Sequence, residues 1–516
     1  MTPTAKLLLV LLAPAVVLAP ANRSAAEAEG GPLGRPNVLF IAIDDLRTSL
    51  GCYGDPLAKS PNIDALARSS RLFNGAYTHQ AVCGPARAAM LTGRLPDNTR
   101  VWHNRNLFRN TLPDAVTLPQ LFKNHGYRAL SFGKIFSGDE RELDPPSWSA
   151  PEVLRGQGPG WKNYALAGDR GGKGAAWEAA DVPDDGYPDG RLAQVAVETL
   201  EKLKHEGQPF FLAVGFFKPH LPFNAPKKYW DLYDPAAFTL QDGQARVIGA
   251  PEIAYHTHRE LGGYQDMPED EHVSAEQART LRHGYYACVS YVDAQVGKLL
   301  HSLHRLGLAQ NTIVVLWGDH GWSLGEKDRW CKGTNFERDT RVPLMIRVPG
   351  LAKPDEPTEA LIEYVDIYPT LAALAGLAPP ADLDGRSLVA VLQDPAAHGR
   401  DVALSQFTRP WKTTGFEVMG YSLRTPTQRY TRWVEWPSRQ TLAEEFYDYN
   451  SQASATRKGG LLIEQENVVE RPAYADSLDR LRARLDETLR TRIKLQAEET
   501  TATVEPKPKK KKKKNL

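Results

Sequence analysis

Four short stretches of this 516-residue chain read as strands and end in charge. Pro36 to Ile43 runs into Asp44-Asp45, and Arg128 to Phe132 into Gly133-Lys134. Pro209 to Phe217 runs into Lys218-Pro219-His220, and Thr312 to Trp317 into Gly318-Asp319-His320. Apolar runs of this length suit strands buried on both faces. Helical patterns separate them: one begins at Ser60-Pro61, and others cover Leu118 to His125, Leu192 to His205 and Ser274 to Leu306. In the last of these, Tyr285, Val289, Val292, Val296 and Leu299 form a core stripe at helical spacing. A further strand is expected over Leu344 to Val348 and a helix over Val365 to Ala375. Strand alternating with helix implies a large, mostly parallel central sheet covered on both faces, an α/β architecture. Such a sheet binds ligands beyond the carboxyl ends of its strands. The four charged ends then share one edge, where carboxylates would hold a hard cation and lysines and histidines would meet an anion.

Taken singly, each ending has a plain explanation. Asp45 could cap a helix, and a lone lysine is usually solvated. Two adjacent carboxylates at the end of a buried strand are nevertheless costly unless something positive meets them. A second feature points to the same edge. In Cys83-Gly84-Pro85-Ala86-Arg87, proline suits a first helical position, the helix continues through Thr92, and Gly93 stops it. Cys83 therefore sits beside a helix N-terminus, where free N–H groups and the dipole favour an anion, and Arg87 adds a fixed positive charge. Alone, Cys83 reads equally as a buried or disulfide-bonded cysteine. With the four charged strand ends, it suggests a nucleophile acting on a phosphate or a sulfate.

The rest of the chain divides as follows. Lys6, the apolar run Leu7 to Leu18 and small-x-small sites at Ala19-Pro20-Ala21 and Ala26-Glu27-Ala28 read as a signal peptide over residues 1–28, directing the protein to the periplasm or outside the cell. The run is short and broken by Pro14, so no membrane span is expected. The catalytic domain is expected over residues 35–388, with Asp139 to Asp189 as a long surface excursion. Residues 389–497 are expected to form a smaller α+β domain. Its antiparallel strands are read at Gly420 to Leu423, Tyr430 to Trp436 and Glu445 to Tyr449, and Leu478, Leu481, Leu485 and Leu489 make a helix face. Residues 498–516 read as a disordered tail, either a tether to polyanionic glycans or simply solvated. Seven of its lysines mask an otherwise negative balance of about −6 behind a net charge of +1. No nucleic-acid partner is expected. Cys52, Cys288 and Cys331 match no zinc spacing and are expected to be structural.

The Cys-x-Pro-x-Arg arrangement of Cys83, Pro85 and Arg87, followed by Thr92-Gly93-Arg94, resembles the sulfatase signature. The resemblance extends from about Pro36 to Asp448 and points within that family to the iduronate-2-sulfatase group. It is carried also by Asn37 to Asp45, Leu50 to Asp55, Ser60 to Asp64, Gln80 to Arg87, Phe132-Gly133-Lys134, Val214 to Phe223 and Gly318 to Lys332. It implies that Cys83 is converted to formylglycine by a formylglycine-generating enzyme of the host. It also implies a calcium ion, with magnesium open, held by Asp44, Asp45, Asp319, His320 and the modified Cys83. The implied reaction is hydrolysis of a sulfated carbohydrate. The hydrate attacks sulfur, Arg87, Lys134 and Lys332 neutralise the sulfate oxygens, and His220 protonates the leaving oxygen. Lys218 is expected to orient His220 or to touch substrate.

The chain departs from the group where a histidine usually follows the Phe-Gly-Lys lysine by three residues. Here the residue is Ser137, which can donate a hydrogen bond but cannot act as an acid near neutral pH. That bears on the sugar more than on the reaction. Two rivals stand beside this reading. One is a phosphatase or phosphonate hydrolase of the same superfamily, and the other a non-catalytic binder of sulfated glycans. A binder has no need of a complete nucleophile-and-metal set.

Overall fold

The computed structural model describes residues 34–137, 143–150, 164–166, 174–238, 245–256, 260–269, 272–411, 415–436, 438–450 and 463–494. The expected signal peptide, the lysine-rich tail and much of the excursion between Asp139 and Asp189 lie outside these residues. Among the described residues no helix is long and apolar enough to cross a membrane.

The main sheet contains β1 (Asn37–Ile43), β2 (Arg71–Tyr77), β3 (Arg128–Gly133), β4 (Phe210–Phe216), β5 (Thr312–Gly318), β6 (Leu344–Arg347) and β7 (Thr358–Glu363). Their order is β7-β2-β6-β5-β1-β4-β3. Only β6 runs against its neighbours. The four strands with charged ends are adjacent, β5-β1-β4-β3, as a shared site requires. Register aligns Ile43 with both Phe216 and Gly318, and Gly133 with Gly215, so the chains leave the sheet side by side.

Helices cover both faces because alternate strand residues point to opposite layers. Leu39, Ile41 and Ile43 of β1 pack with α1 (Pro61–Arg68), α4 (Pro188–Glu206) and α5 (Ala275–Arg305). Val38, Phe40 and Ala42 pack with α2 (Cys83–Thr92), α3 (Leu118–Asn124) and α6 (Ile367–Leu374). Two sheet strands escaped the sequence reading. Arg71, Asn74 and Gly75 interrupt the apolar run of β2, and Glu359 and Glu363 that of β7. In β2 the Arg71 side chain is buried and its two terminal nitrogens donate to the carbonyls of Ala352, Lys353, Glu356 and Leu392, so a charged residue lies inside a core strand.

The C-terminal part forms a second sheet, β8 (Ala403–Arg409), β9 (Val418–Arg424), β10 (Gln428–Glu435) and β11 (Thr441–Asp448), antiparallel in chain order. It starts one strand earlier than the three expected. Leu478, Leu481, Leu485 and Leu489 of α7 (Ala475–Arg492) pack on it, together with Ala89 of α2. Helix α2 is thus wedged between the two sheets with every residue buried. Its alanines let both layers approach closely. No disulfide links the four cysteines.

A buried ion network joins the sheets. The Glu337 carboxylate accepts from Arg424 Nε at 3.0 Å, Arg429 Nη2 at 2.6 Å and the Tyr77 hydroxyl at 2.9 Å. Burial alone would raise its pKa, but Arg424, Arg429 and Arg341 outweigh that and hold it at about 2. A depressed carboxyl contributes stability that is complete above its unfolded value and is lost as pH falls toward the folded one. Glu337→Gln would leave two buried guanidinium groups short of a counter-charge. It is expected to cost about 3–5 kcal/mol in urea unfolding at pH 7, with the deficit narrowing as the pH falls from about 4.5 toward 2.

Candidate active site

Beyond the carboxyl ends of β1, β3, β4 and β5 the charged residues converge. Asp44 and Asp45 leave β1 fully buried. Asp45 takes the left-handed backbone conformation, φ 59°, uncommon for any residue but glycine. Its backbone is held at both polar groups: the N–H donates to Asp319 Oδ1 at 3.0 Å, and the carbonyl accepts from the Tyr285 hydroxyl at 2.8 Å. Helix α5, whose stripe reads as core from sequence, therefore also fixes the turn that carries the Asp45 carboxylate. The close approach of β3 and β4 depends on glycine. A Cβ on Gly215 would lie 2.0 Å from the Lys134 carbonyl oxygen.

Cys83 opens α2 with its Sγ 3.5 Å from Asp44 Oδ1 and 3.3 Å from His320 Nε2. One ligand atom each from Asp44, Asp45, Cys83 and His320 lies within 4.8 Å of the others. His320 Nδ1 is 3.0 Å from the Gly321 carbonyl oxygen, which places the ring proton there. The Nε2 lone pair is left facing the cluster, as a metal ligand requires. Asp319 accepts from the backbone N–H groups of Asp45 and His320 through Oδ1 and from Arg87 Nε at 2.8 Å through Oδ2. Its Oδ2 lies 3.7 Å from His320 Nε2, at the edge of the cluster. Buried carboxylates with an oriented imidazole fit a hard divalent cation.

Two lysines face these carboxylates. Lys134 Nζ is 2.6 Å from Asp44 Oδ2, and Lys332 Nζ is 2.9 and 3.0 Å from the two Asp45 oxygens. Burial raises Asp44, but Lys134, His220 and Arg87 more than compensate and hold it well below the usual range. For Asp45 burial prevails over Lys332, and the charge of Asp44 adds to it, so its carboxyl is raised. Burial, aided by Asp44, pushes the Cys83 thiol well up, so it is not a thiolate at neutral pH.

Two of the expected site residues turn their donors toward the protein. Arg87, expected at the sulfate oxygens, is fully buried. Beyond Asp319, it donates to Asp44 Oδ1 at 3.3 Å and to the carbonyls of Lys134 and Ile135. It braces the carboxylates and strand ends. Lys218, read as orienting His220 or touching substrate, donates to the carbonyls of His220 at 3.0 Å and Pro222 at 2.5 Å. Its ammonium shapes the loop that carries His220, which is the first of the two roles expected of it.

His220 Nδ1 is 2.6 Å from the Leu221 carbonyl oxygen, and Nε2 points to Glu260 Oε1 at 3.3 Å and Asp45 Oδ2 at 3.8 Å. Glu260 was not anticipated, because it follows a stretch without periodicity. Nor was Trp322, whose ring lies under Lys332 Nζ at 4.8 Å. Ser137 is buried and lines a cavity of about 50 Å³ with Gly84, Phe136, Arg109 and Asp144. A larger cavity of about 850 Å³ beside α4 and α5 shares no residue with this cluster.

Comparison with known proteins agrees with the geometry. A family model described as Sulfatase matches residues 36–377. One described as N-sulphoglucosamine sulphohydrolase, C-terminal, matches residues 318–490. Iduronate 2-sulfatase of Mus musculus is 37% identical over 482 residues, spanning 79% of this chain and 86% of the relative. Among solved structures, the phosphonate monoester hydrolase SpPMH from Silicibacter pomeroyi superposes with a TM-score of 0.71 at 24% identity, covering 88% of this chain and 96% of that one. BT4656 in complex with its substrate D-glucosamine-2-N,6-O-disulfate does so with a TM-score of 0.67 at 21% identity, covering 88% and 98%. At these identities the two structures speak for the fold.

If these carboxylates hold a cation, removing one must weaken it. Calorimetric titration of chelator-treated protein with calcium is expected to show one site, and Asp44→Asn to weaken it at least about tenfold, roughly the value of one lost charged contact. Equal affinity in the variant would rule out Asp44 as a ligand.

Proposed function

Because this chain belongs to the sulfatase family and is a sulfuric ester hydrolase, we propose that it is an exported enzyme releasing sulfate from sulfated carbohydrates through a formylglycine formed from Cys83. The observation that carries the reading is the placement of Cys83. It sits at the start of α2, against Asp44 and His320, with Lys134 and Lys332 across the same cluster. Its thiol is held protonated, so as cysteine it would be a poor nucleophile. Oxidised to formylglycine, it offers as its hydrate a hydroxyl for in-line attack on sulfur. Asp44, Asp45, Asp319 and His320 would hold a divalent cation, which would supply the polarisation that lowers that hydroxyl's pKa.

The remaining steps fall to the chain's own side chains. Lys134 and Lys332 now neutralise buried carboxylates. Both ammonium groups face the cluster that would receive the sulfate, where they would stabilise the shifting charge on its oxygens. Arg87 keeps Asp44 and Asp319 in place. His220 carries the leaving oxygen's proton on Nε2, since Nδ1 is committed to Leu221. Burial, with Lys332 adding, lowers its pKa to about 4. A sulfate beside Nε2 favours the protonated ring.

Similarity to iduronate 2-sulfatase and to a fold neighbour that takes a sulfated glucosamine supports a sulfated sugar as substrate. Ser137 is a neutral residue where a histidine could carry charge, so a uronate sulfate is one option among sulfated sugars. The apolar run Leu7 to Leu18 supports export. The fold shared with SpPMH makes a phosphonate the natural control.

Two measurements on one preparation test the reading. The peptide containing Cys83 is expected to carry the aldehyde in its mass spectrum. The enzyme is expected to release sulfate from a panel of sulfated mono- and disaccharides faster than it cleaves phosphodiesters or phosphonate monoesters. Full activity with an unmodified thiol would contradict the nucleophile, and faster phosphonate turnover would contradict the reaction.

A further inference from the structure

Glu260 is the outermost charged group of the cluster. Its side chain is 16% exposed, against 11% for His220, 3% for Lys332 and 0% for Asp45. A molecule entering from solvent therefore meets Glu260 beside the two groups that the reaction needs at the ester. Glu260 Oε1 lies 3.3 Å from His220 Nε2, and Oε2 lies 3.4 Å from Lys332 Nζ.

The position is built. Glu260 begins a short turn whose Leu261, Tyr264 and Met267 are buried in the same core as α5. The Asp266 carboxylate accepts from Ala176 N–H at 2.7 Å, and Gln265 N–H donates to the Gly174 carbonyl at 3.0 Å. A Cβ on Gly262 would lie 2.7 Å from the Glu269 carbonyl oxygen, so the turn is closely packed. Glu260 adds like charge beside Asp45, and Lys332 and His220 offset it from the site's inner side. An ionised carboxylate only accepts hydrogen bonds. An aryl ring offers it nothing, whereas a sugar hydroxyl one carbon from the ester fits. His220 Nε2 must reach the leaving oxygen, and a hydroxyl on the neighbouring carbon is one C–C bond further on, beside an acceptor 3.3 Å from that nitrogen.

We infer that Glu260 is a specificity-determining residue, accepting a hydrogen bond from a substrate hydroxyl vicinal to the sulfated carbon. The enzyme is thereby selective for sulfate esters of polyols over esters without that hydroxyl. The inference rests on the reaction assigned above, with His220 at the leaving oxygen.

The test compares a methyl hexopyranoside sulfate bearing a free vicinal hydroxyl with its deoxy counterpart. A hydrogen bond to a charged acceptor predicts that the wild type favours the hydroxylated ester by about tenfold or more in kcat/KM. That first measurement needs no variant. Glu260→Ala is expected to lose most of this preference, and Glu260→Gln, which keeps a neutral acceptor oxygen, to retain part of it. If the wild type shows no preference, or if both variants slow the two esters by the same factor, Glu260 only braces His220 and Lys332 and the inference is overturned. Release of sulfate from neither ester by the wild type would instead overturn the reaction assignment, and this inference with it.

Discussion

Everything in this molecule is arranged around two adjacent carboxylates that water does not reach. Asp44 and Asp45 leave the central strand of the main sheet with essentially no exposure. An ionised carboxylate taken from water without compensation costs several kcal/mol even after the protein relaxes. The fold answers with positive charge from every side: Lys134 from β3, Arg87 from α2, and Lys332 from the loop after β5. The imbalance between the pair is informative. Asp44 is well compensated, while the Asp45 carboxyl stays raised by burial. On the proposed reading a divalent cation would add the further compensation and leave two ammonium groups to meet an anion. The same charge requirement explains both how the site holds together and what it can do.

The position of α2 follows from a second constraint. A helix N-terminus serves an anion only if it is buried near the strand ends, which requires a helix that two layers can approach at once. Ala88 faces the main core and Ala89 the C-terminal core. The C-terminal sheet is therefore no appendage. Its β9 and β10 grip Glu337 through Arg424 and Arg429, and its helix packs in the same cluster as Ala89. Close approach on the other side is visible at Gly84, where a Cβ would lie 2.8 Å from Asn104 Cα.

Much of this was legible in the sequence because burial and charge leave local marks. An apolar run that stops at Asp44-Asp45 or Asp319-His320 announces both a strand and its functional end. That the four charged ends meet needed only the rule that parallel strands share an edge, whereas the order β5-β1-β4-β3 is known from the structure alone. What was hidden depended on tertiary partners. Arg71 in β2 looks unfit for a core strand until four carbonyls are found around its guanidinium. Arg87 carries the right charge for a sulfate, yet its donors turn inward to Asp319 and Asp44, a direction that spacing cannot reveal. Lys218 is turned away in the same manner. Glu260 had no signal, since a single acidic residue in an aperiodic stretch gains meaning only when His220 and Lys332 are found beside it.

The central claim is that position 83 holds a nucleophile whose carbon bears two hydroxyls, one to attack sulfur and one to expel it. Cys83→Ser keeps one hydroxyl and removes the second. Product formation by this variant, followed with a sulfated sugar in excess, measures the claim directly. The account expects a single turnover per active site, after which the reaction stops with sulfate retained on the peptide containing residue 83. Sustained turnover at the wild-type rate would show that the second hydroxyl is not needed, and the mechanism would fall.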